Sequence, residues 1–503
     1  MADWLDRLDS RVGDGLEAMV CAHHRRRLAR HGWSAILPRG EPGQRGWATD
    51  GPGGPGLAGR WWSPLAPVRP GNDIRVLVDG AQVLPEIEQA ILGAKRFVHI
   101  AGWHATPGFR LTRAPGASSL RDLLADAARR VPVRLLLWAG PPLPAFEPTR
   151  GDVRRVAAQF CRDSDVHCAL DRRERPMHCH HEKLVLVDDQ VAFVGGIDLT
   201  DLQGDRYDHP GHQPHGVLGW HDSAAVVRGP VVGDVAQHFR LRWAEVTGER
   251  VPDAVAPDPV GDTEVQLLRT VPERVYRFRP HGEFTILDGY VRALRQAQRL
   301  IYLENQFLWA PEVVDILIDK LRRPPTPDLR VLLVLPARPN NGADTTRGQL
   351  GRLVQADDGA RRLLAVTVAG VTSDGAAGPQ RSGPVYVHSK VGIVDDRWLT
   401  VGSANLNGHS LFNDTEVNLA ICDTRLVAET RLALWAEHTG APVSRLRGSS
   451  TALIDDLWRP LAEEQTRRVA AGLPRTHGLS LLRGVSRRTE RLQGPLRGLL
   501  VDG

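Results

Sequence analysis

Residues 180–189 read HHEKLVLVDD, and residues 388–396 read HSKVGIVDD. Counted from His181 and from His388, both spell His, one residue, Lys, four residues, Asp. Both continue through a second apolar run into small residues, QVAFVGG and RWLTVGS. Two short apolar runs joined through an Asp-containing turn have the form of a β-hairpin. A pattern of this length written twice marks a duplicated unit.

The duplication extends outward. Upstream, PEIEQAILGAKRFVHIAGWH (85–104) matches GYVRALRQAQRLIYLENQFLW (289–309). Each reads as an amphipathic helix ending in a basic residue, then a buried strand, then Trp. Next come VRLLLWAG (133–140) and RVLLVLPA (330–337), continuous apolar runs of the buried-strand type, and a weaker pair, VHCAL (166–170) and LAVTVAG (364–370). Strand–helix–strand units that lead twice to one hairpin predict an α/β fold in two halves related by pseudo-twofold symmetry. The halves span 72–250 and 262–440, with a linker near 251–262. Residues 1–71 are expected to give an N-terminal helix and a Gly/Pro-rich connection. Residues 441–503 are expected to give a helical, basic C-terminal extension.

Bulk properties set the class. The chain has 503 residues, which favours more than one core, and its 42% hydrophobic and 24% charged content is that of an ordinary globular protein. No apolar run approaches the ~18 residues that span a bilayer. MADWLDRLDS has no apolar segment of the signal-peptide kind. Five cysteines are an odd number without paired spacing. A cytoplasmic protein, peripheral to the membrane at most, is the expectation. Net charge +5 permits anionic partners. The basic runs HHRRRLARHG (23–32) and RRTERLQGPLRG (487–498) read either as solvated helix faces or as surfaces that touch a membrane. Of 64 basic residues only Lys95, Lys183, Lys320 and Lys390 are lysine. Two of these four occupy the same slot of the repeated pattern, which points to a need for a compact ammonium where arginine would supply a planar fork.

Side chains two apart on an extended segment share a face, so His181 lies beside Lys183 and His388 beside Lys390. An imidazole next to an ammonium suits an anion, and a phosphate fits. Asp188 and Asp395 fall on the opposite face or in the turn, and read first as structural. Gly196, Ser403 and Asn405 follow the hairpins as candidates for close approach to phosphate oxygens. Asp208 and Glu416 stand 27 and 28 residues after the two histidines by position in the chain, as candidate imidazole partners. A rival use of MHCHHE (177–182), zinc on His178, Cys179, His180 and His181, fits no usual ligand spacing.

These residues resemble the signature of the phospholipase D superfamily, H-x-K-x4-D twice per chain with Gly-Gly or Gly-Ser after each. The wording HHEKLVLVDDQVAFVGGIDLTD, IYLENQFLW and VGSANLNGHSLFNDTEV is similar to the eukaryotic-type, phosphatidylcholine-hydrolysing branch. The resemblance covers about 72–440. It implies two α/β/α sandwich halves with one active site between them, and phosphodiester transfer through a phosphohistidine without a cofactor. By resemblance His181 is the nucleophile and His388 the general acid, oriented by Asp208 and Glu416 respectively. Lys183, Lys390, Asp188 and Asp395 complete the catalytic set, and Gly196, Ser403 and Asn405 hold the substrate.

The implied partners are a phospholipid at a membrane surface and a water or alcohol acceptor, with no stable nucleic acid and a monomeric chain. Phospholipid hydrolysis to phosphatidic acid is the first reading. Cardiolipin-type phosphatidyl transfer, nucleic-acid phosphodiester cleavage and a non-catalytic lipid scaffold are the alternatives. Two departures stand out: Gly408-His409 and Asn413 replace expected charged residues, and Asp198 stands where the second half has Asn405. No lipid-binding module is recognisable before the first half, which leaves membrane recruitment without an agent.

Overall fold

The computed structural model describes residues 2–37, 61–142, 148–175, 178–207, 218–339, 343–373 and 380–482. The first half contributes β1 (Val68–Val78), β2 (Val98–Gly102), β3 (Val133–Trp138), β4 (Val166–Asp171), β5 (Leu184–Val187), β6 (Val191–Gly195), β7 (Gly219–His221) and β8 (Ser223–Arg228). The second contributes β9 (Thr263–Val271), β10 (Glu283–Phe284), β11 (Leu300–Glu304), β12 (Arg330–Val334), β13 (Leu363–Thr367), β14 (Ala369–Ser373), β15 (Gln380–Val387), β16 (Val391–Val394), β17 (Trp398–Gly402) and β18 (Glu416–Ile421). The C-terminal extension adds β19 (Ser480–Leu481).

One sheet runs through both halves in the order β19-β13-β12-β11-β16-β17-β18-β9-β1-β8-β6-β5-β2-β3-β4. Read outward from the central antiparallel β9–β1 pair, the halves repeat each other strand for strand. In each, three parallel strands (β2, β3, β4 or β11, β12, β13) meet an antiparallel run that begins with the predicted hairpin, β5–β6 or β16–β17. Helices cover both faces. The outer faces bury apolar clusters against helices Asp79–Leu92 and Leu120–Ala128 in one half, and against Thr285–Gln296 and Pro311–Arg322 in the other. The inner faces share one core, into which helices Val231–Thr247 and Thr424–Thr439 place Phe239, Trp243, Leu434 and Trp435. This is the α/β/α architecture in duplicate.

The hairpins explain the aspartates of the repeated pattern. Asp188-Asp189 and Asp395-Asp396 all have positive φ, between 52° and 61°. Two successive left-handed residues define a tight hairpin turn whose twist matches the strands, and Asp tolerates that conformation better than most residues. The Asp188 carboxylate accepts the backbone N–H groups of Lys95, Arg96 and Phe97, and Asp395 those of Gln298, Arg299 and Leu300. Asp189 then pairs with Arg240, and Asp396 with Arg431, which ties each turn to the inner helix. Asp188 and Asp395, placed above in the catalytic set, therefore brace the hairpins and the strands beside them.

The N-terminal helix is Ala2–Arg30. The run 23–32 divides into two sides, with His23, Arg26 and Arg30 on a solvated face and His24, Arg27 and Leu28 turned inward. His24 turns in to Glu312 at 2.7 Å, and Arg27 is buried against both oxygens of Glu273 at 2.5 and 2.6 Å. Most of the Gly/Pro-rich connection and the run 487–498 lie outside the described residues.

Candidate active site

His181 and His388 sit just before β5 and β16, buried at the seam between the halves with ring centroids 6.5 Å apart. Each is hooked to the opposite half by parallel backbone pairing. The His181 N–H donates to the Thr415 carbonyl at 3.0 Å, and the His388 N–H to the His221 carbonyl at 2.8 Å. The residue after each of those acceptors is a carboxylate. His181 Nδ1 lies 2.9 Å from Glu416 Oε1, and His388 Nδ1 lies 2.6 Å from Asp222 Oδ2. A carboxylate at Nδ1 holds the proton there and leaves the Nε2 lone pair for chemistry.

The expected pairing is corrected here. Glu416 serves His181, not His388, and Asp222 serves His388. Asp208 lies outside the described residues. Equal spacing misled because a longer stretch, 196–218, precedes the carboxylate in the first half. The usable signal was a carboxylate set directly before a buried strand, HDSAAVV against TEVNLAI.

Lys183 Nζ donates to the His181 carbonyl at 2.8 Å and sits 3.0 Å from Asp198 Oδ2. Lys390 Nζ donates to the His388 carbonyl and reaches Gln306 Oε1 at 3.2 Å. The first ammonium thus has a counter-charge and the second a neutral amide. Asn405 is fully buried, and among the described residues its amide oxygen and nitrogen both lack a partner, so the group is available to a ligand. Ser403 and Gly196, expected at the substrate, also support the carboxylates. Ser403 Oγ braces Glu416, with Ser410 Oγ on its other oxygen. A Cβ at Gly196 would come within 2.1 Å of Asp222 Oδ1, so glycine clears the space for that carboxylate.

Burial governs the site's charges. It pushes Glu416 up to about 8, with Lys183 pulling the other way, and Asp222 up to about 6, opposed by Lys390. Burial lowers Lys390 to about 7 despite Asp222. His388 is held well below the usual imidazole range by burial and by Lys390, Arg206 and Lys183 around it. An anion entering this site offsets those cations and raises the imidazole again.

A buried network that the sequence did not reveal stands behind Asp222. Asp79, at φ 58°, donates its N–H to the Asp222 carbonyl and accepts the Asp222 N–H on Oδ1, both at 2.8 Å. His221 Nδ1 lies 3.1 Å from Asp79 and 3.1 Å from Glu437, while Nε2 lies 2.9 Å from Glu304. Burial opposes charging this ring, but Glu437, Asp79 and Glu304 outweigh it and raise His221 well above the usual value. Asp79 and His221 are positioning residues, acting on His388 through Asp222. On the other side His180 lies 3.1 Å from Asp171, which also accepts from Arg242 at 2.7 Å. The four residues of the zinc alternative do not converge on one centre, although His178 and the Cys179 N–H share Asp414. His178 Nδ1 meets His409 Nδ1 at 2.8 Å, the Cys179 N–H meets Asp414, and His180 and His181 bind as described. The departing residues of the second half are absorbed by packing: His409 against His178, and Asn413 against Arg27.

Two family models match the chain, one described as phospholipase D over residues 90–219 and one as cardiolipin synthase, PLD-like domain, over residues 290–434. Phospholipase D A of Dictyostelium discoideum is 26% identical over 474 residues, covering 75% of this chain and 36% of that protein. Phospholipase D alpha 1 of Cynara cardunculus is 26% identical over 513 residues, covering 71% of this chain and 63% of that protein. The chain therefore spans between about a third and just under two thirds of these relatives. Among solved structures, the phosphatidylserine synthase of Haemophilus influenzae Rd KW20 is similar with a TM-score of 0.48 and 13% identity, covering 79% of this chain and 93% of that one.

Proposed function

We propose that this chain, which belongs to the phospholipase D superfamily, cleaves the phosphodiester of a phosphatidyl alcohol to phosphatidic acid and can pass the phosphatidyl group to an alcohol. The observation that carries the reading is the pair of buried imidazoles 6.5 Å apart, each with Nδ1 on a carboxylate of the opposite half. A phosphorus placed between them has a nucleophile on one side and a proton donor on the other.

In the first step His181 Nε2 attacks phosphorus. The P–N bond forms, the P–O bond to the head-group alcohol breaks, and His388 gives its Nε2 proton to the departing oxygen. In the second step His388, now neutral, takes a proton from water or an alcohol. The resulting oxygen attacks phosphorus, the P–N bond breaks, and His181 is restored. Glu416 and Asp222 stabilise the imidazolium forms. Lys183, Lys390 and Asn405 carry the charge on the phosphoryl oxygens. The assignment of His181 as nucleophile follows the superfamily. The His388 proton depends on the substrate anion, because the cations that depress it are the ones the phosphate offsets. Lipid would be met at a membrane surface, and no helix among the described residues is long and apolar enough to cross a membrane.

Incubation with phosphatidylcholine and a short primary alcohol tests the reading, and a phosphatidyl-alcohol product is expected. Nicked DNA without that product overturns it. His388→Asn should trap phosphatidyl mass on the peptide carrying His181. Label on His388 of the wild type, and never on His181, reverses the two roles and keeps the mechanism. The match of residues 290–434 to a cardiolipin-synthase model supports a second reading. Cardiolipin forming from phosphatidylglycerol faster than phosphatidic acid would select it.

A further inference from the structure

The N-terminal helix has no place in the chemistry above, yet it walls a pocket of about 390 Å³ together with segments 173–175 and 273–275. The pocket is linked to the active site through one short helix. Its Arg27 also bonds Asn413 and the Phe412 carbonyl at 2.6 Å, at the end of the helix Gly408–Phe412 whose Ser410 braces Glu416. Five arginines line it: Arg27, Arg30, Arg173, Arg175 and Arg274. Glu273 is shared between Arg27 and Arg175, which reaches it at 2.8 Å, and Glu174 is drawn to Arg150. Arg173 lies 3.4 Å from Glu245. Arg30 and Arg274 are exposed at the rim, and among the described residues none accepts from their guanidinium groups. Positive charge is in excess, and its field is felt nearby: burial first, then His24, Arg27, Arg30 and Arg175, lower His23 below the usual imidazole range.

A guanidinium offers paired N–H donors that match phosphate oxygens, and several around one concavity favour a dianion over a monoanion. A phosphodiester carries one negative charge. A phosphomonoester near neutral pH carries about −1.5 to −2 and three acceptor oxygens. We propose that this pocket is a second anion site, separate from the two histidines, that takes a phosphomonoester group. That chemistry is shared by the headgroup of phosphatidic acid and by inorganic phosphate. It gives the N-terminal helix a role in holding the active site against an anionic surface. The lipid arm of the test rests on the proposed reaction, whose product is such a lipid, and the phosphate arm does not.

The test uses the full chain and measures binding without turnover, so a failure of the phospholipase reading leaves it interpretable. Phosphatidylcholine vesicles with and without phosphatidic acid are co-sedimented with the wild type, with an Arg30→Gln/Arg274→Gln variant, and with an Arg425→Gln/Arg467→Gln control on exposed helices elsewhere. Inorganic phosphate is titrated calorimetrically into the same three proteins. Thermal melting verifies the fold. Each basic residue near an anionic surface is worth about fivefold in binding, so the pocket variant should lose roughly twentyfold on phosphatidic acid vesicles while the control keeps wild-type binding. A loss on vesicles identifies a lipid headgroup, and a loss confined to inorganic phosphate identifies the free ion. The proposal is overturned if neither affinity falls in the pocket variant, or if the control pair weakens vesicle binding as much.

Discussion

The two imidazole–carboxylate pairs share one construction and differ in their surroundings. In both, backbone pairing across the seam delivers a carboxylate from the opposite half to Nδ1. Around His181 the carboxylate is Glu416, braced by the hydroxyls of Ser403 and Ser410, and the nearby Lys183 is matched by Asp198. Around His388 the carboxylate is Asp222, its backbone pinned by Asp79, and the nearby Lys390 hydrogen-bonds the neutral Gln306 and feels Asp222 and Glu416 without a salt bridge to either. Asn405, where the first half has Asp198, has an amide without a partner among the described residues. The first half thus fixes its lysine in a salt bridge, while the second holds Lys390 beside an amide with its charge disfavoured by burial, at about 7. The lesson is that duplication preserved the geometry of attack while the charges diverged, which lets two equivalent imidazoles take different roles.

The largest expected effects come from removing either imidazole. His181→Ala and His388→Ala should each abolish turnover while melting like the wild type. Loss of a positioned acid or base costs ~10²–10⁴-fold, and loss of the nucleophile more. Near-wild-type activity in either variant, measured as release of the head-group alcohol, breaks the single shared site.

The charge difference is broken directly by Asn405→Asp. It removes a buried donor and adds a carboxylate where the phosphate charge must be held. Loss of one such donor alone costs ~10²–10³-fold, so the fall should be at least that large. A small change would show that Asn405 does not touch the phosphoryl oxygens, and that the asymmetry is only structural.

The lysine pair gives the next effect. Lys183→Arg and Lys390→Arg keep charge but replace a compact ammonium with a longer fork. A misplacement of ~1 Å can cost ~10²-fold. Lys390→Arg should be the worse of the two, because Lys183 already shares its charge with Asp198. Full activity in both would mean that the scarcity of lysine in this chain carries no information about these positions.

Much of this was legible in the sequence because it rests on local periodicity. Buried strands, tight turns and the repeat of His and Lys are written in consecutive residues, and these gave the halves, the hairpins and both histidines. The partners were harder to read because they come from the other half. Glu416 and Asp222 are set by bridges between segments some two hundred residues apart, and counting along the chain paired Glu416 with the wrong imidazole. Asp79 was also hidden. Its sign is a left-handed φ at the start of a helix, which a DG step suggests but cannot join to Asp222. The aspartates of the repeated pattern show the converse: conspicuous in the sequence, they fold the hairpin and leave the chemistry to others.

The smallest effect sharpens the comparison through stability. In the folded chain burial holds the Glu416 proton, with the carboxyl pushed up from 4.5 to about 8. Its folded value lies above its unfolded one, so the stability it contributes is fully present below about 4.5 and is lost as pH rises through about 8. Glu416→Gln is close to an isostere of the protonated form and has no proton to lose. The variant should therefore melt with the wild type near about pH 5 and above it near about pH 8, by a few degrees, although it is catalytically impaired. Asp222→Asn should show the same sign in a lower window, between 3.8 and about 6, because Lys390 offsets part of the burial. Thermal melting of the three proteins across that range reads both windows. If Glu416→Gln melts below the wild type by the same margin at every pH, Glu416 does not take up a proton on folding, and the carboxylate that braces the attacking imidazole stands charged at rest.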